Sequence, residues 1–235
     1  MTYLPWKTPG PYDVVFTTRL GGVSEGPYAS LNLGRKTGDD VERVDENRRR
    51  ACAEIEADDE QLALNYQMHS ALVHRAEPGA RGRPGDGLWT DEPGLPVLAM
   101  SADCLPIALA RANGGPPAVA VVHAGWRGLL AGIVESAVAA LGGRALAAAI
   151  GPAIGPCCYE VRSDVADPFR ERFGRRIVSD ARLDLWHAAD VALRDAGVTH
   201  VERLDLCTAC HPELFFSHRR DGKPRGVQGV LARVA

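Results

Sequence analysis

The sequence predicts one α/β domain, and three observations support this prediction. Short apolar runs without polar interruption occur in the middle of the chain, which is typical of strands buried on both faces of a sheet. Segments in which apolar residues recur at helical spacing alternate with these runs. The chain has 235 residues, enough to bury a full core, so we expect a single domain over residues 1–235.

The first elements lie before residue 90. Residues 13–18 indicate a strand, and Gly21 and Gly22 end it with a turn. The pair Asp39 and Asp40 can cap a helix that continues to about Ile55. A stretch rich in Gly, Pro and Arg at 77–87 indicates an exposed loop. The predicted helix carries apolar residues near helical spacing, namely Val41, Val44, Ala51 and Ile55.

Three buried strands are predicted in the middle of the chain, at 97–100, 107–110 and 118–122. Pro96 is tolerated because it stands at the start of the first. A helix over 129–141 is expected to end at Gly142 and Gly143, and a further strand follows at 145–150.

The remaining elements are two helices and a strand-rich C-terminus. The helices are predicted at 165–173 and 185–196, and Gly197 follows the second as a C-cap glycine would. Residues 201–234 indicate short strands that Asp221 and Gly222 interrupt.

Charge and composition exclude some classes of partner. The net charge is −3 and no strongly basic stripe is present, so neither nucleic acid nor an anionic membrane is an expected partner. Residues 1–10 lack a basic segment followed by an apolar one, and no apolar run approaches the about 18 residues that span a bilayer. We therefore expect a cytoplasmic protein.

The six cysteines are expected to be reduced thiols in such a compartment. The run from Cys207 to His211 matches the spacing of a c-type haem attachment site, but covalent haem attachment requires export. A structural zinc on Cys207 and Cys210 would need two further ligands, for which His211 or Cys157 are candidates. Buried structural thiols are the favoured interpretation of these cysteines.

Three segments carry the residues best suited to chemistry. His69, Cys104 and His123 each stand beside small residues or a glycine turn, where the backbone leaves the side chain uncovered. Two imidazoles and a thiolate can hold zinc with its fourth position open, as in catalytic sites. The same residues can instead form a cysteine nucleophile with a histidine base.

The segment His-Ala-Gly-Trp-Arg-Gly at 123–128 also indicates an anion site. A buried strand is predicted to end at His123 and a helix to begin just after Gly128, so unpaired N–H groups would point into the turn. Arg127 adds a guanidinium there. The alternative is an ordinary turn with a solvated arginine.

Nine segments spread over nearly the whole chain form a recognisable series, at 17–24, 30–34, 47–48, 67–69, 102–106, 123–128, 150–161, 184–185 and 215–222. In sequence and order they resemble the motifs of the YfiH-type, laccase-domain family of purine nucleoside phosphorylases. The resemblance implies an α+β fold of mixed β-sheets layered with helices, related to the cytotoxic-necrotizing-factor deamidases. It also implies that His69, Cys104 and His123 are the metal and catalytic set, with zinc the usual metal, and that Arg48 lies next to the substrate.

The activity that the resemblance implies is phosphorolysis of adenosine, inosine and S-methyl-5'-thioadenosine, with adenosine deamination as a side activity. The small-molecule partners are then a purine nucleoside and phosphate. Arg48 and Arg127 would orient the phosphate by bidentate contacts. Two alternatives remain open. One is a cysteine hydrolase that edits peptidoglycan precursors with Cys104 as nucleophile; the other is a scaffold that binds without turnover.

An older label of the family, copper-dependent polyphenol oxidase, disagrees with the histidine pattern. A multicopper oxidase needs many histidines in His-x-His pairs, whereas this chain has seven histidines and no such pair. A site of two histidines and a thiolate still binds copper well, so copper acquired during purification would give weak oxidase activity.

The chain departs from the family's pattern at two places. Ser70 stands where the family usually has glycine, which we expect only to tighten the turn. The order of residues at 223–226, Lys-Pro-Arg-Gly, reverses the usual Gly-Arg order and puts in doubt any role of Arg225.

Overall fold

Two six-stranded sheets pack face to face in the computed structural model, which describes residues 2–112, 115–142 and 146–235. In the first sheet the strand order is β1-β2-β14-β7-β3-β5, and in the second it is β13-β10-β8-β9-β6-β4. Numbered in chain order, the strands are β1 (Tyr3–Pro5), β2 (Tyr12–Thr17), β3 (Ala63–Tyr66), β4 (Val73–Arg75), β5 (Arg81–Pro84), β6 (Gly87–Thr90), β7 (Val97–Ser101), β8 (Leu105–Arg111), β9 (Val119–Ala124), β10 (Leu146–Ile150), β11 (Val178–Ser179), β12 (Arg182–Leu183), β13 (His200–Arg203) and β14 (Gln228–Val234). Strands β11 and β12 form a separate hairpin.

The sheets are mixed, and antiparallel pairs form their centres. Strand β14 pairs antiparallel with both β2 and β7, and β8 pairs antiparallel with both β9 and β10. Parallel pairs lie toward the edges, as in β10 with β13 and β4 with β6. This is the α+β class that the family resemblance implied, and it corrects the α/β class that the alternation of apolar runs and helical segments predicted.

Helices cover the outer faces of both sheets. They are α1 (Val41–Glu54), α2 (Trp126–Ala131), α3 (Ile133–Ala140), α4 (Ser163–Phe173), α5 (Leu185–Asp195) and α6 (His218–Asp221). Helix α1 packs on the first sheet through Ala51 and Cys52. Helices α2 to α5 pack on the second sheet. None of the helices in the described residues is long and apolar enough to cross a bilayer.

The core between the two sheets explains why the central strands have uninterrupted apolar sequences. Val119 and Val121 of β9 face the first sheet, where Val97 and Val230 meet them, whereas Val122 faces the helices. Strands β8, β9 and β10 are thus buried on both faces, as their sequences indicated. The predicted strands at 13–18, 97–100, 107–110 and 118–122 are all present within a few residues.

Helix α1 begins where the sequence placed it. The side chain of Asp40 accepts hydrogen bonds from the backbone N–H groups of Glu42 and Arg43, at 2.8 and 3.3 Å. Val44, Ala51 and Ile55 are buried, but Val41, in the first turn, is 48% exposed. The predicted helices at 165–173 and 185–196 correspond to α4 and α5.

The predicted helix at 129–141 is wrong in two respects. It begins earlier, at Trp126, and it breaks into α2 and α3 at Gly132. Gly132 has a φ of 89°, the left-handed conformation that glycine adopts without steric cost, and it closes one helix while opening the next. Gly143 and Ala145, named in the predicted helix end and the strand at 145–150, lie outside the described residues, and the strand is seen from Leu146.

Two further sequence predictions need correction. Much of the stretch at 77–87 is exposed as expected, but it contains the edge strand β5 rather than loop alone, and its last three residues, 85–87, are buried. The C-terminal stretch holds only β13 and β14, and the residues around Asp221 form the short helix α6 instead of a break between strands.

Candidate functional site

His69, Cys104 and His123 come together at the end of the sandwich. His69 lies in the loop from β3 to β4, Cys104 in the turn from β7 to β8, and His123 near the end of β9. Because Leu105 pairs with Ala124 in the β8–β9 register, Cys104 is brought beside the end of the strand that carries His123. The ligand atoms of the three side chains lie within 4.8 Å of one another, and His69 Nε2 is 3.7 Å from Cys104 Sγ.

Asp86 is the residue of this site that the sequence analysis missed. It immediately precedes β6, whose pairing with β9 places it opposite His123. Its carboxylate, with 1% of the residue exposed, accepts the Nδ1–H of His123 at 2.8 Å. It also accepts hydrogen bonds from the backbone of Met68, His69 and Ser70. One buried carboxylate therefore orients both histidines.

Ser70, which stands where the family usually has glycine, makes a side-chain contact that glycine cannot make. Its hydroxyl donates to Asp86 Oδ2 at 2.7 Å, so the serine adds a further hydrogen bond to the carboxylate. His69 has a φ of 64°, an uncommon conformation for a residue with a side chain. Such a conformation costs about 1–3 kcal/mol, and the hydrogen bonds to Asp86 hold the loop in it.

Asp103 fixes the turn that presents Cys104. It is buried and has a φ of 95°, outside the favourable regions for a non-glycine residue. Its carboxylate accepts hydrogen bonds from Thr208 Oγ1 and from the backbone N–H of Arg219, each at 2.6 Å. Two distant segments of the chain thus hold this turn in place.

Gly125 leaves the space that the site needs. A Cβ atom at this position would lie 2.7 Å from His69 Cδ2 and 2.9 Å from Cys104 Sγ, closer than real side chains pack. The glycine in the turn after β9 is therefore required by the close approach of the two side chains.

At neutral pH the site holds a charged pair, the Cys104 thiolate and the His123 imidazolium. Burial alone would raise the pKa of the Cys104 thiol, but the positive charge and hydrogen bond of His123, aided by His69, lower it to about 6. Burial alone would lower the pKa of His123, but the Cys104 thiolate and Asp86 raise it to about 9. Burial opposes ionisation of Asp86 too, yet its hydrogen bonds from His123 and Ser70 hold its pKa well below the usual range. Without a metal, the thiolate and imidazolium coexist between these two pKa values.

The three side chains open into a cavity of about 820 Å³. This volume is in the range of pockets that enclose a small molecule. Asp103 is the one carboxylate among the described residues that line it. The cavity therefore favours an anionic ligand, because it is also lined by eight cationic side chains: Arg35, Lys36, Arg48, Arg81, Arg127, Arg219, Lys223 and Arg225.

Arg48 lies in this cavity on the inner side of α1. Only 4% of the residue is exposed, and its Nε donates to the carbonyl of Leu33 at 2.8 Å. Burial, with the nearby charges of Arg35 and Arg81, lowers its pKa to about 10, so it remains charged at neutral pH. Among the described residues it has no ion-pair partner.

Its two neighbours in sequence are surface residues. Arg49 and Arg50 both pair with Glu46 on the exposed side of the helix. The run of three arginines is therefore divided between a buried one and two surface ones.

Arg127 also lines the cavity, with its guanidinium 4.1 Å from the ring centre of Trp126. The helix expected to begin just after Gly128 begins earlier, at Trp126, and is only six residues long, whereas the anion site at its start stays a prediction. So short a helix has a small dipole, and the guanidinium is the stronger positive group here.

Arg225 lies in the cavity despite the reversed order of residues around it. Its guanidinium donates to the carbonyl of Gly222 at 3.0 Å, and its Nε is buried with no hydrogen-bond partner in the described part of the chain. Burial lowers its pKa, against the nearby charges of Asp103 and Asp221.

The geometry of the three side chains fits a zinc ion. With zinc–sulfur bonds of about 2.3 Å and zinc–nitrogen bonds of about 2.0–2.1 Å, a tetrahedral ion places a sulfur and a nitrogen ligand about 3.6 Å apart. The His69 Nε2 to Cys104 Sγ distance is 3.7 Å. Asp86 engages Nδ1 of His123, which leaves Nε2 to face a metal, and such carboxylate–histidine pairs commonly support metal ligands.

Fold and site together define an α+β protein with a two-histidine, one-cysteine ligand set in a cationic cavity. Comparison with known proteins shows the family. A family model described as multi-copper polyphenol oxidoreductase laccase matches residues 13–234. The chain therefore belongs to the YfiH-type, laccase-domain family.

Individual relatives are similar over nearly their whole length. The purine nucleoside phosphorylase YlmD of Geobacillus stearothermophilus is 39% identical over 241 residues, covering 92% of this chain and 86% of that protein. The purine nucleoside phosphorylase YfiH of Escherichia coli is 36% identical over 226 residues, covering 92% and 91%. The crystal structure of YlmD superposes with a TM-score of 0.91 at 33% identity, covering 100% of this chain and 96% of the other.

Replacing Asp86 by asparagine tests its role in orienting the histidines. Asp86→Asn keeps the shape but removes the charge that holds His123, so zinc affinity is expected to fall about 10- to 100-fold. Competition with a chromophoric chelator measures this. Asp91→Asn, which removes a carboxylate from a surface pair with Arg75, is the matched control and should leave affinity unchanged. Unaltered zinc affinity in a folded Asp86→Asn protein would contradict the assignment.

The charged pair predicts an unusual pH dependence of thiol reactivity in metal-free protein. Because the pKa of Cys104 is lowered to about 6, its alkylation by iodoacetamide should rise with pH and be half-maximal near pH 6, well below the about 8.5 of an ordinary thiol. Peptide mapping locates the label. His123→Ala should move the midpoint upward, since it removes the positive charge. A midpoint that stays above 8 in the unaltered protein would show that the pair does not form.

Proposed function

We propose that this chain is a zinc-dependent purine nucleoside phosphorylase that acts on adenosine, inosine and S-methyl-5'-thioadenosine, with adenosine deamination as a side activity. The observation that carries the proposal is the placement of two histidines, one cysteine and the buried Arg48, which has no ion-pair partner in the described part of the chain, in one cationic cavity. The names of YlmD and YfiH, both purine nucleoside phosphorylases, support the reaction class. The substrates are then a purine nucleoside and phosphate.

Phosphorolysis requires a site for an anion next to a site for a nucleoside. A phosphate oxygen attacks the anomeric carbon of the sugar, the bond from that carbon to the base breaks, and the base leaves with the bonding electrons and takes up a proton. In this proposal Arg48 and Arg127 bind phosphate through charge-assisted hydrogen bonds. Arg48 is suited to this because it is charged, buried and free of any carboxylate partner in the described residues.

The remaining residues hold the metal and its surroundings. His69, Cys104 and His123 are the proposed ligands, and Asp86 keeps His123 in the orientation that presents Nε2. Zinc held there would supply Lewis-acid polarisation of a substrate oxygen and, for deamination, a lowered pKa of water. Zinc is favoured over copper as the native metal because three protein ligands and an open position are typical of catalytic zinc. Copper binds such a set tightly, so weak oxidase activity is expected of copper-loaded preparations.

Product identification is the direct test of the reaction class. Zinc-loaded protein incubated with adenosine or inosine should form ribose 1-phosphate and the free base only when phosphate is present, as followed by chromatography. Cys104→Ser should lose zinc and phosphorolysis together, because a hydroxyl is a poorer ligand for soft metals than a thiolate. Cys52→Ala, which changes a buried thiol of α1 that does not line the cavity, is the matched control.

The same assay separates the proposal from the two alternatives. A cysteine hydrolase with Cys104 as nucleophile would keep full activity without metal, and an electrophilic substrate analogue would label that cysteine. A binding scaffold would form no product. Either result would overturn the phosphorylase assignment.

Arg48 gives a second test, aimed at the phosphate site. Arg48→Lys keeps the positive charge but loses the planar pair of donors, so the KM for phosphate should rise about 10- to 100-fold. The KM for the nucleoside should change little. Arg49→Lys alters the next residue, which pairs with Glu46 at the surface, and should leave both values unchanged. If KM for phosphate stays the same in Arg48→Lys, Arg48 does not bind phosphate.

A further inference from the structure

Four cysteines outside the cavity come together in space. The sulfur atoms of Cys157, Cys158, Cys207 and Cys210 all lie within 4.8 Å of one another. The first two follow β10 and the last two follow β13, and these strands are parallel neighbours. Because parallel strands end at the same edge of a sheet, the two loops leave side by side. The sheet topology itself therefore builds the cluster.

This arrangement differs from the sequence interpretation of buried structural thiols. Cys157 and Cys210 are exposed, Cys158 is partly exposed, and only Cys207 is buried. Of the candidate further ligands, Cys157 joins the cluster, whereas the His211 ring faces Glu213. Cys158, which was not considered as a ligand, completes the set.

Two of the distances between sulfur atoms are close to those expected in a metal site. Cys210 Sγ is 3.5 Å from Cys157 Sγ and 3.4 Å from Cys158 Sγ. Four sulfurs at about 2.3 Å from one zinc ion are separated by about 3.8 Å, whereas a disulfide brings two sulfurs to about 2.05 Å. All four cysteines are unbridged.

The backbone around the cluster also suits thiolates. The N–H of Gly155 donates to Cys207 Sγ at 3.3 Å. Cys207 and Cys210 are separated by two residues, as in many zinc sites. The backbone N–H of Cys210 donates a hydrogen bond to the carbonyl of Cys207 at 3.2 Å. The turn thus directs both sulfurs to the same side.

We propose that Cys157, Cys158, Cys207 and Cys210 bind a second zinc ion in a closed, structural site. Four thiolates fill the tetrahedral coordination and leave no open position for water or substrate, which separates this site from the one in the cavity. The soft ligands favour zinc over calcium or magnesium.

The second site would stabilise the wall of the cavity. Thr208, between two of the ligands, donates to Asp103, which fixes the turn of Cys104. Tyr159, next to Cys158, lines the cavity, and Arg219 donates to the carbonyls of Cys158 and Glu160. A zinc ion that joins the two loops would hold these contacts in place.

Metal analysis in a Cys104→Ser background tests the proposal independently of enzyme activity. The unaltered protein should contain about two zinc ions per chain and Cys104→Ser about one, since only the four-cysteine site remains. Cys104→Ser with Cys210→Ser should contain none. Cys210 is exposed, so its replacement should leave the fold intact. Cobalt in the Cys104→Ser protein should give strong sulfur-to-cobalt absorption that the double variant lacks.

Thermal unfolding adds a second measurement. A chelator should lower the Tm of Cys104→Ser but leave that of the double variant unchanged, because only the former loses a bound metal. Cys104→Ser with Cys52→Ala is the control and should keep its zinc. A metal-free Cys104→Ser protein would overturn the proposal. So would a disulfide from Cys210 to Cys157 or Cys158 in freshly isolated protein, detected by mass spectrometry.

Discussion

The candidate site depends on the hydrogen bonds that the buried carboxylate of Asp86 accepts. The carboxylate accepts them from the backbone of the loop that carries His69 and from the ring of His123. Without these donors, a carboxylate this deep in the protein would be strongly unfavourable. With them, it holds a loop in an uncommon conformation, sets the orientation of an imidazole and, through that imidazole, lowers the pKa of Cys104. Loop shape, ligand orientation and thiolate charge thus have one common cause.

The sequence was informative about residues whose chemistry is rare. His69, Cys104 and His123 could be selected because histidines and cysteines are few and each stands beside small residues. Asp86 was missed because acidic residues are common and this one lies between Gly85 and Gly87 in a stretch that resembles a surface loop. Its role arises from the pairing of β6 with β9, which the sequence does not specify. An acidic residue between two glycines just before a short apolar strand was the available signal.

The fold was predictable where burial imposes a pattern and unpredictable where it does not. Strands β8 to β10 are apolar because both faces are covered, whereas β5 is exposed along its length and has the composition of a loop. Helical spacing continues across Gly132, so periodicity could not show that its left-handed backbone divides α2 from α3. The antiparallel centre of each sheet follows from long-range pairings and not from the local alternation of strands and helices.

The route of the chain between the two sheets has a consequence for assembly. His69 and Cys104 lie in two of the three connections that pass from the first sheet to the second, from β3 to β4 and from β7 to β8. Asp86 lies in the third, from β5 to β6, whereas His123 belongs to the second sheet alone. Forming either sheet by itself does not fix the distance between the three ligands. The full set exists only after the sheets have docked, so the proposed metal binding is confined to molecules whose core is closed. Free metal therefore has little means of trapping a half-assembled chain through these residues, and its binding selects the finished sandwich.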